Sequence, residues 1–298
     1  MSTITKLNSM LGDYPNTLAL KQGKVKSDLV QFDFLKFAEG EVPHDHFKRV
    51  VKGEFDFGEL ALMTVLQAIG YGYPLIALPV ALHGRFQHGQ IAYNPERGPL
   101  KPEDLHGKTI GMRTYAQTTP TWVRGILQDN YGVDLSKVNF VAQGDGHVPE
   151  YKEPANVRRA DKSKKLAQML LDGEVDAAVL AADQNPKFKT LVADPVAAGQ
   201  AWSKKYGGAL MVNHIVVVKA LVAKEHPDAV REIYRMMKES KAAANEALPK
   251  DGIDKRPIGM SAVRRNFEIA AEYAWQQGLT PKQLKVDDLF DATTRALD

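Results

Sequence analysis

The sequence predicts an α/β protein with two lobes and mixed, mainly parallel sheets. Segments with strand-like and helix-like patterns alternate through the first two thirds of the chain, which is typical of sheets covered by helices on both faces. A strong strand pattern at Ala209–Val218 is followed by a nearly all-helical stretch. We therefore expect lobe I to comprise residues 1–95 and 207–298, with a helical C-terminal part, and an inserted lobe II to comprise residues 96–206.

The strand patterns of lobe I are short apolar or alternating runs that end at turn-forming residues. The first of them ends in the turn signal GDYP. Helices are predicted where apolar residues recur at helical spacing. The predicted strands are Ile4–Leu11, Leu29–Phe37, Phe55–Phe57, Leu75–Val80 and Gln90–Asn94, and the predicted helices are Pro43–Val51 and Glu59–Ile69.

The same alternation continues through lobe II, and the chain beyond Val218 has helical spacing of its apolar residues. In lobe II the predicted strands are 108–112, 138–142 and 175–180, and the predicted helices are 119–130 and 163–172. The C-terminal helices are predicted at about 227–247, 261–276 and 281–296.

Composition excludes several classes of function. The net charge is +3, and Lys and Arg are interleaved with Asp and Glu, so no basic stripe for nucleic acid is present. The absence of cysteine excludes a disulfide scaffold, a thiolate nucleophile and a cysteine-type zinc site. We find neither a signal-peptide pattern nor an apolar run of transmembrane length. We expect a cytosolic protein with no nucleic-acid or membrane partner; a removed leader and homo-oligomerisation stay open.

The stretch DLHGKTIGMRTYAQTTPTWVRGIL, residues 104–127, predicts a turn from a strand into a helix. Thr119 suits the N-cap, and Pro120 suits the first helical position, where a missing N–H costs nothing. The helix would then present the free N–H groups of Thr121 and Trp122, which with the hydroxyls of Thr118 and Thr119 suit a carboxylate. The alternative is an ordinary strand-to-helix turn without a ligand.

Two chain crossings between lobes make a hinge, so we expect a ligand cleft between the lobes at the carboxyl ends of strands. His83 and His88 flank Arg85 in the loop predicted after strand 75–80. Two imidazoles would thus lie beside a guanidinium that can bind a carboxylate through two hydrogen bonds. The segments expected to line the cleft are Asp13–Thr17, Phe57–Glu59, His83–His88, Arg113–Thr119, Gly144–His147, Ala182–Asn185 and Asn213–His214.

Several phrases are typical of type II periplasmic binding proteins, namely DLHGKTIGM, LLDGEVDAAVL and HPDAVREIYRMM. A narrower set runs nearly end to end and includes FDFGELAL, RFQHGQIAYN, TWVRGILQDNYGV, NHIVVV and EYAWQQGLT. Together these phrases resemble the 4,5-dihydroxyphthalate decarboxylase family, cytosolic enzymes built on the binding-protein fold. The phrases WVRGILQD and QQGLT are the most specific.

The sequence also departs from the family pattern where substrate should bind. The family carries arginine directly before the histidine that corresponds to His88, whereas this chain has Gln87 there and an arginine at Arg85. The family tends to Pro-Glu before Tyr115, and this chain has Arg113-Thr114. An Asn-Arg pair near residue 263 becomes Val-Arg. These changes leave the general chemistry in place and the exact substrate open.

The resemblance implies decarboxylation of a hydroxylated aromatic acid, in which a general acid protonates the ring carbon that bears the carboxylate and carbon dioxide leaves. It implies a small aromatic carboxylate as the ligand and no cofactor, although assistance by a divalent metal stays open. The predicted catalytic residues are His88, His214 and Glu59. The predicted substrate-binding residues are Tyr14, Arg85, His83, Arg113, Tyr115, Thr118, Thr119, Arg124 and His147.

Plainer roles are open for several of these residues. His214 follows the alternation of an apolar strand face and could be a satisfied core histidine. Glu59 could be a favourable charge at a helix N-terminus, and Arg124 could form an ion pair that closes the lobes. His44 and His46 resemble metal ligands, but side chains two residues apart on a helix diverge, so we expect them on the surface.

Two other functions fit the same fold. The first is a solute-binding protein of an ABC-type transporter that holds an anionic or aromatic ligand without reaction; the absence of a leader pattern argues against it. The second is a pyrimidine-forming enzyme of thiamine synthesis. Such enzymes rely on cysteine-bearing motifs, and this chain has no cysteine.

Overall fold

The computed structural model describes residues 4–161 and 163–298. The chain divides into two compact units. The first contains the residues up to Arg85, Val212–Trp275 and Thr280–Asp298, and the second contains Phe86–Met211 and Gln276–Leu279. The predicted boundaries at 95/96 and 206/207 lie ten and five residues from these, and the prediction has no counterpart of the short return at Gln276–Leu279.

The strands of the described chain are β1 (Thr5–Met10), β2 (Val30–Phe34), β3 (Phe57–Ala61), β4 (Leu75–Gly84), β5 (Ala92–Tyr93), β6 (Thr109–Met112), β7 (Asn139–Ala142), β8 (Val157–Arg159), β9 (Ala177–Ala178), β10 (Lys189–Thr190) and β11 (Val212–Lys219). The α-helices are α1 (Pro15–Lys21), α2 (Phe47–Val51), α3 (Leu62–Gly70), α4 (Thr118–Tyr131), α5 (Leu166–Asp172), α6 (Pro195–Lys205), α7 (Ala220–Glu225), α8 (Pro227–Ala243), α9 (Met260–Gln276) and α10 (Ala292–Arg295). A 3-10 turn at Pro43–His46 leads into α2.

The first unit is built on a five-stranded sheet in the order β2-β1-β3-β11-β4. β1 runs parallel to β2 and β3, whereas β11 is antiparallel to both of its neighbours. All five residues of β3 are buried, because the strand lies at the centre of the sheet. This central position is what places side chains of β3, β11 and β4 beside one another.

The second unit is built on a six-stranded sheet in the order β10-β5-β9-β6-β7-β8. β9, β6, β7 and β8 are parallel, and β5 pairs antiparallel with β9 and β10. Both sheets are therefore mixed, and the predicted α/β class with mixed, mainly parallel sheets is confirmed. Because β5 pairs within this sheet, residues 92–93 belong to the second unit, although the prediction assigned them to lobe I.

Two predicted element boundaries are wrong in a way that matters for the site. Glu59 is predicted to open a helix, but it is the middle residue of β3, and α3 begins at Leu62. His83 is predicted in a loop, but β4 continues to Gly84 and includes it. The apolar run after Phe57 is compatible with both helical and strand periodicity. Its pairing with β1 and β11 makes it a strand.

The C-terminal prediction also differs from the structure. Residues 281–296 form a 3-10 turn at Val286–Leu289 and the single turn of α10, because the Asp291 side chain accepts a hydrogen bond from the Thr294 N–H and starts a new helix there. The prediction missed α1, α6, α7, β8 and β10. No helix among the described residues is both long and apolar enough to cross a membrane.

A candidate active site in the first unit

Glu59 is the centre of a polar cluster at the middle strand of the sheet of the first unit. Its side chain is fully buried. Oε2 accepts a hydrogen bond from the Gly12 N–H at 2.8 Å, and Oε1 accepts one from the Tyr14 hydroxyl at 2.6 Å. Oε1 also lies 2.5 Å from Nδ1 of His214. A buried carboxylate is thus held by three groups from two parts of the chain, as burial of a charge requires.

His214 and His83 face each other across paired strands. In the antiparallel ladder of β11 and β4 the two residues are direct partners, and register shifts occur on either side of His214. Their ring centroids are 4.4 Å apart, and the Tyr14 ring lies 5.4 Å from that of His83. We call Tyr14, Glu59, His83 and His214 the Glu59 cluster. All four were predicted as site residues, and the sheet brings them together.

The environment fixes the protonation of two members of the Glu59 cluster. Burial, and then the Glu59 charge, raise the pKa of the Tyr14 hydroxyl well above its usual range, so Tyr14 stays a hydrogen-bond donor. Burial, and then the neighbouring His214 and Arg85, lower the pKa of His83 to about 3. His83 is therefore neutral at physiological pH and keeps a nitrogen lone pair available.

The contact with Glu59 orients the His214 ring. A carboxylate acceptor at Nδ1 requires the ring proton on that nitrogen, which leaves Nε2 to exchange a proton with a ligand. The His214 side chain is 20% exposed, so a small molecule can reach it, whereas Glu59 cannot be reached. The pair therefore has the form of a general acid–base with a buried orienting group.

Gly12 is a member of this site that sequence reasoning did not single out. A Cβ at this position would lie 2.9 Å from Glu59 Oε2 and 2.7 Å from the Tyr14 ring. Only glycine lets the backbone N–H approach the carboxylate so closely. The sequence GDYP could have indicated this role, but it was interpreted only as the turn that ends the first strand.

Glu59, His83 and His214 also form a possible ligand set for a metal ion. Each offers one ligand atom, and these atoms lie within 4.8 Å of one another. Sequence spacing does not reveal these three residues as a ligand set, because they are 24 and 131 residues apart along the chain. The histidines that resembled metal ligands, His44 and His46, contact the carboxylates of Asp45 and Glu41 respectively. The prediction that both lie on the surface is wrong for His46, which is buried.

His88 lies in the second unit, in the turn between β4 and β5. Its side chain is 1% exposed, and neither ring nitrogen has a hydrogen-bond partner among the described residues. Burial lowers the pKa of His88 to about 4, so the ring is neutral. Arg85 belongs to the first unit, directly after β4, and is exposed.

Arg124 and Tyr115 form a buried arrangement of their own in the second unit. The Arg124 guanidinium lies 3.6 Å from the centroid of the Tyr115 ring. Its Nε donates to Gln277 Oε1 at 2.8 Å, and Nη2 donates to the Tyr115 carbonyl at 2.8 Å. Gln277 Nε2 in turn donates to the Thr121 carbonyl at 3.0 Å. These contacts account for Arg124 as a structural residue, and its substrate-binding role stays a prediction.

The start of α4 differs from the prediction. The N-cap is Gln117, so the first helical N–H groups are those of Thr118 and Thr119, and Pro120 follows within the first turn. The Thr121 N–H donates to the Gln117 carbonyl at 3.0 Å and is not free as predicted. Thr118 is buried and Thr119 is half-buried, Arg113 is exposed, and His147 is half-buried in the loop after β7. The ligand roles of these four residues stay predictions.

Comparison with known proteins identifies the family. A profile described as NMT1/THI5 like matches residues 35–154. The 4,5-dihydroxyphthalate decarboxylase of Comamonas testosteroni is 26% identical over 306 residues, which span 95% of this chain and 89% of that protein. The enzyme of the same name from Pseudomonas putida is 31% identical over 212 residues, or 66% of this chain and 80% of that protein.

Solved structures show the fold. The alkanesulfonate-binding protein SsuA from Xanthomonas axonopodis pv. citri, bound to MOPS, is 13% identical, with a TM-score of 0.57 over 98% of this chain and 99% of that one. The periplasmic sulfonate-binding protein SsuA from Methylobacillus flagellatus is 12% identical, with a TM-score of 0.60 over 99% and 94%. The chain therefore has a type II periplasmic-binding-protein-like fold and belongs to the 4,5-dihydroxyphthalate decarboxylase family.

Proposed function

We propose that the protein is a decarboxylase of a hydroxylated, phthalate-like aromatic carboxylic acid. The observation that carries this proposal is the buried Glu59 carboxylate held against Nδ1 of the partly exposed His214. A protein that only binds a solute does not need a buried carboxylate that orients a titratable ring. Membership of the decarboxylase family supports the same conclusion.

In the proposed reaction His214 delivers a proton from Nε2 to the ring carbon that bears the carboxylate. A hydroxyl ortho or para to this carbon supplies the electron density for the new C–H bond. The C–C bond then breaks, its electron pair returns to the ring, and carbon dioxide leaves. One proton is consumed and one carbon dioxide is released. Glu59 contacts Nδ1 of His214 and keeps its ring in one orientation.

His83 and Tyr14 have supporting roles in this proposal. The neutral His83 ring can accept a hydrogen bond from a ring hydroxyl of the substrate, which strengthens electron donation into the ring. Tyr14 satisfies Glu59 and keeps the carboxylate from turning away from His214. Binding of a second substrate carboxylate by the exposed Arg85 guanidinium is part of the same proposal.

Solute binding without reaction is the second candidate function. It is favoured by the likeness of the fold to proteins that are named as sulfonate-binding. A binding protein would retain its ligand unchanged, so the two functions differ in product and can be separated by one measurement.

The test is incubation of the purified protein with 4,5-dihydroxyphthalate and close analogues in D₂O, followed by proton NMR and measurement of carbon dioxide. Decarboxylation places one deuterium on the carbon that carried the carboxylate. Ligand-induced stabilisation with no turnover across the panel would favour the solute-binding function. Neither stabilisation nor turnover, with folded protein, would reject both functions for this class of compound.

A further inference from the structure

We propose that Glu59, His83 and His214 together bind one divalent transition-metal ion. The inference goes beyond the proposed function, because binding of an ion can be measured with no substrate present. It rests on the arrangement of the three side chains in the first unit.

The donor set is the first argument. Two imidazoles and one carboxylate are a common ligand set for divalent iron, manganese, cobalt and zinc. Each residue contributes one ligand atom, and these atoms lie within 4.8 Å of one another. Bonds of about 2.0–2.2 Å put two ligands of one ion at most about 4.4 Å apart. The widest spacing must close slightly, and the 2.5 Å contact between His214 Nδ1 and Glu59 Oε1 must open to about 3 Å if these two atoms are the ligands.

The sheet makes the set rigid, which is the second argument. The three residues lie on β3, β11 and β4, which are neighbouring strands of one sheet. His214 pairs directly with His83, and β3 is the neighbour of β11 on the other side. Ligands on adjacent strands hold their spacing better than ligands on loops.

The surroundings of Glu59 are the third argument. The Gly12 N–H and the Tyr14 hydroxyl fix the carboxylate from behind, as groups around metal sites do. Within residues 4–161 and 163–298, no lysine or arginine forms an ion pair with this buried carboxylate. Its charge is opposed only by hydrogen bonds and by His214, so a cation at this position would be stabilised.

Two guanidinium groups repel a dication at this position, and the repulsion from each of them is reduced. The guanidiniums of Arg85 and Arg256 act on His83. Arg256 is paired with Glu246 at 2.6 Å, and the exposure of Arg85 to solvent reduces its repulsion of an ion without removing it. Three protein ligands leave coordination positions open, and the 20% exposure of His214 gives small molecules access. If the proposed function holds, the ion and the proton compete for His214, because this ring cannot ligate the ion and serve as the proton donor at the same time.

The experiment begins with dialysis of the full chain against a chelator, followed by titration with Zn²⁺, Mn²⁺ and Co²⁺. We expect one ion per chain by elemental analysis and calorimetry, and visible absorption bands from Co²⁺ bound to nitrogen ligands. His83→Ala and His214→Ala should each weaken binding by at least about tenfold, and Tyr14→Phe by up to about tenfold. His226→Ala is the matched control, since this histidine is exposed before α8 and should bind no ion.

The outcomes separate this inference from the proposed function. Absence of a bound ion in the wild-type chain, or binding that survives His83→Ala, overturns the metal site whatever the activity. Binding of one ion that depends on both histidines, without turnover of any acid, would support the metal site and reject the decarboxylase. The wild-type Co²⁺ spectrum needs no variant, so a variant that fails to fold does not block the test.

Discussion

At the scale of single residues, the sequence indicated the members of the Glu59 cluster but not their geometry. Polar residues near the ends of predicted strands pointed to Tyr14 and His83, and the family resemblance pointed to His214. Glu59 was expected at a helix start, because a glycine before a run of apolar residues looks like a turn. What the sequence could not give is the pairing of β3 with β11, which turns Glu59 toward His214.

Replacement of Glu59 by glutamine tests the acid–base pair. Glu59→Gln keeps the shape but removes the charge that orients and stabilises His214, so kcat should fall by about 100-fold or more. One of the three contacts must also be lost or reversed, which should lower the free energy of unfolding by about 1–3 kcal/mol. Kinetics with the accepted substrate and urea unfolding measure the two effects.

The control is Glu54→Gln, which removes an exposed carboxylate that pairs with Arg49 at 2.7 Å. Its effect on stability should be below about 1 kcal/mol, with kcat unchanged. A Glu59→Gln protein with full activity would show that the carboxylate is only structural.

The lowered pKa of the buried His88 should make the folded chain less stable in acid. Its pKa is about 4 in the folded chain, against an ordinary value near 6.5 after unfolding. Below pH 6.5 the unfolded chain therefore binds a proton that the folded chain does not, and stability falls as the pH drops toward 4. Between pH 7.5 and pH 5, His88 should remove about 2 kcal/mol.

Urea unfolding of wild type and His88→Asn at both pH values measures this effect. The asparagine variant does not titrate at residue 88, so its free energy of unfolding should fall by about 2 kcal/mol less than that of wild type. Equal losses in the two proteins would mean that His88 is not buried as a neutral ring.

At the scale of elements, long periodic segments were predicted well and short ones were not. The predicted helices 119–130 and 261–276 correspond to α4 and α9, because each carries several turns of apolar spacing. The predicted helix 281–296 fails, since Asp291 starts a new turn within it. Helix α6 was missed, although Asp194 caps it and Pro195 opens it, because its sequence VAAGQAW has little amphipathic contrast.

Helix α6 provides a test of close packing between elements. A Cβ at Gly199 would lie 2.8 Å from Cβ and Cγ of Phe86, atoms that cannot swing away. Gly199→Ala should therefore lower the free energy of unfolding by about 1–2 kcal/mol, because overpacking outweighs the better helix propensity of alanine.

The matched control is Ala201→Gly, at an exposed position of the same helix. There alanine meets no obstacle, so the change to glycine should destabilise by about 1 kcal/mol through propensity alone. If glycine is more stable than alanine at position 199 and less stable at position 201, the close approach of α6 to Phe86 is confirmed. A stabilising Gly199→Ala would contradict it.

At the scale of the whole molecule, the phrases quoted from the sequence were enough for the fold and the family. They could not show how distant phrases meet. WVRGILQD and QQGLT, the two most specific phrases, come together in the second unit through Arg124 and Gln277. This contact explains the short return of the chain at Gln276–Leu279, which alternation of strands and helices cannot predict.

Loss of the Gln277 side chain should destabilise the molecule. Gln277 is 5% exposed, and Gln277→Ala would leave Nε of the fully buried Arg124 and the Thr121 carbonyl each without this partner. We expect the free energy of unfolding to fall by about 2–4 kcal/mol. Loss of a hydrogen-bond partner costs more for a buried charged group such as the Arg124 guanidinium than for a buried neutral group. Urea unfolding measures the loss. Gln283→Ala, which changes an exposed glutamine after the same segment, should stay within about 0.5 kcal/mol of wild type.

The short return of the chain at Gln276–Leu279 has a consequence for recombination between related genes. A chimera that takes Phe86–Met211 from another member of the family would pair the donor's counterpart of Arg124 with the recipient's counterpart of Gln277. The contact survives only if both parents carry the glutamine. Recombination between relatives should therefore be least disruptive when the four residues Gln276–Leu279 are exchanged together with Phe86–Met211.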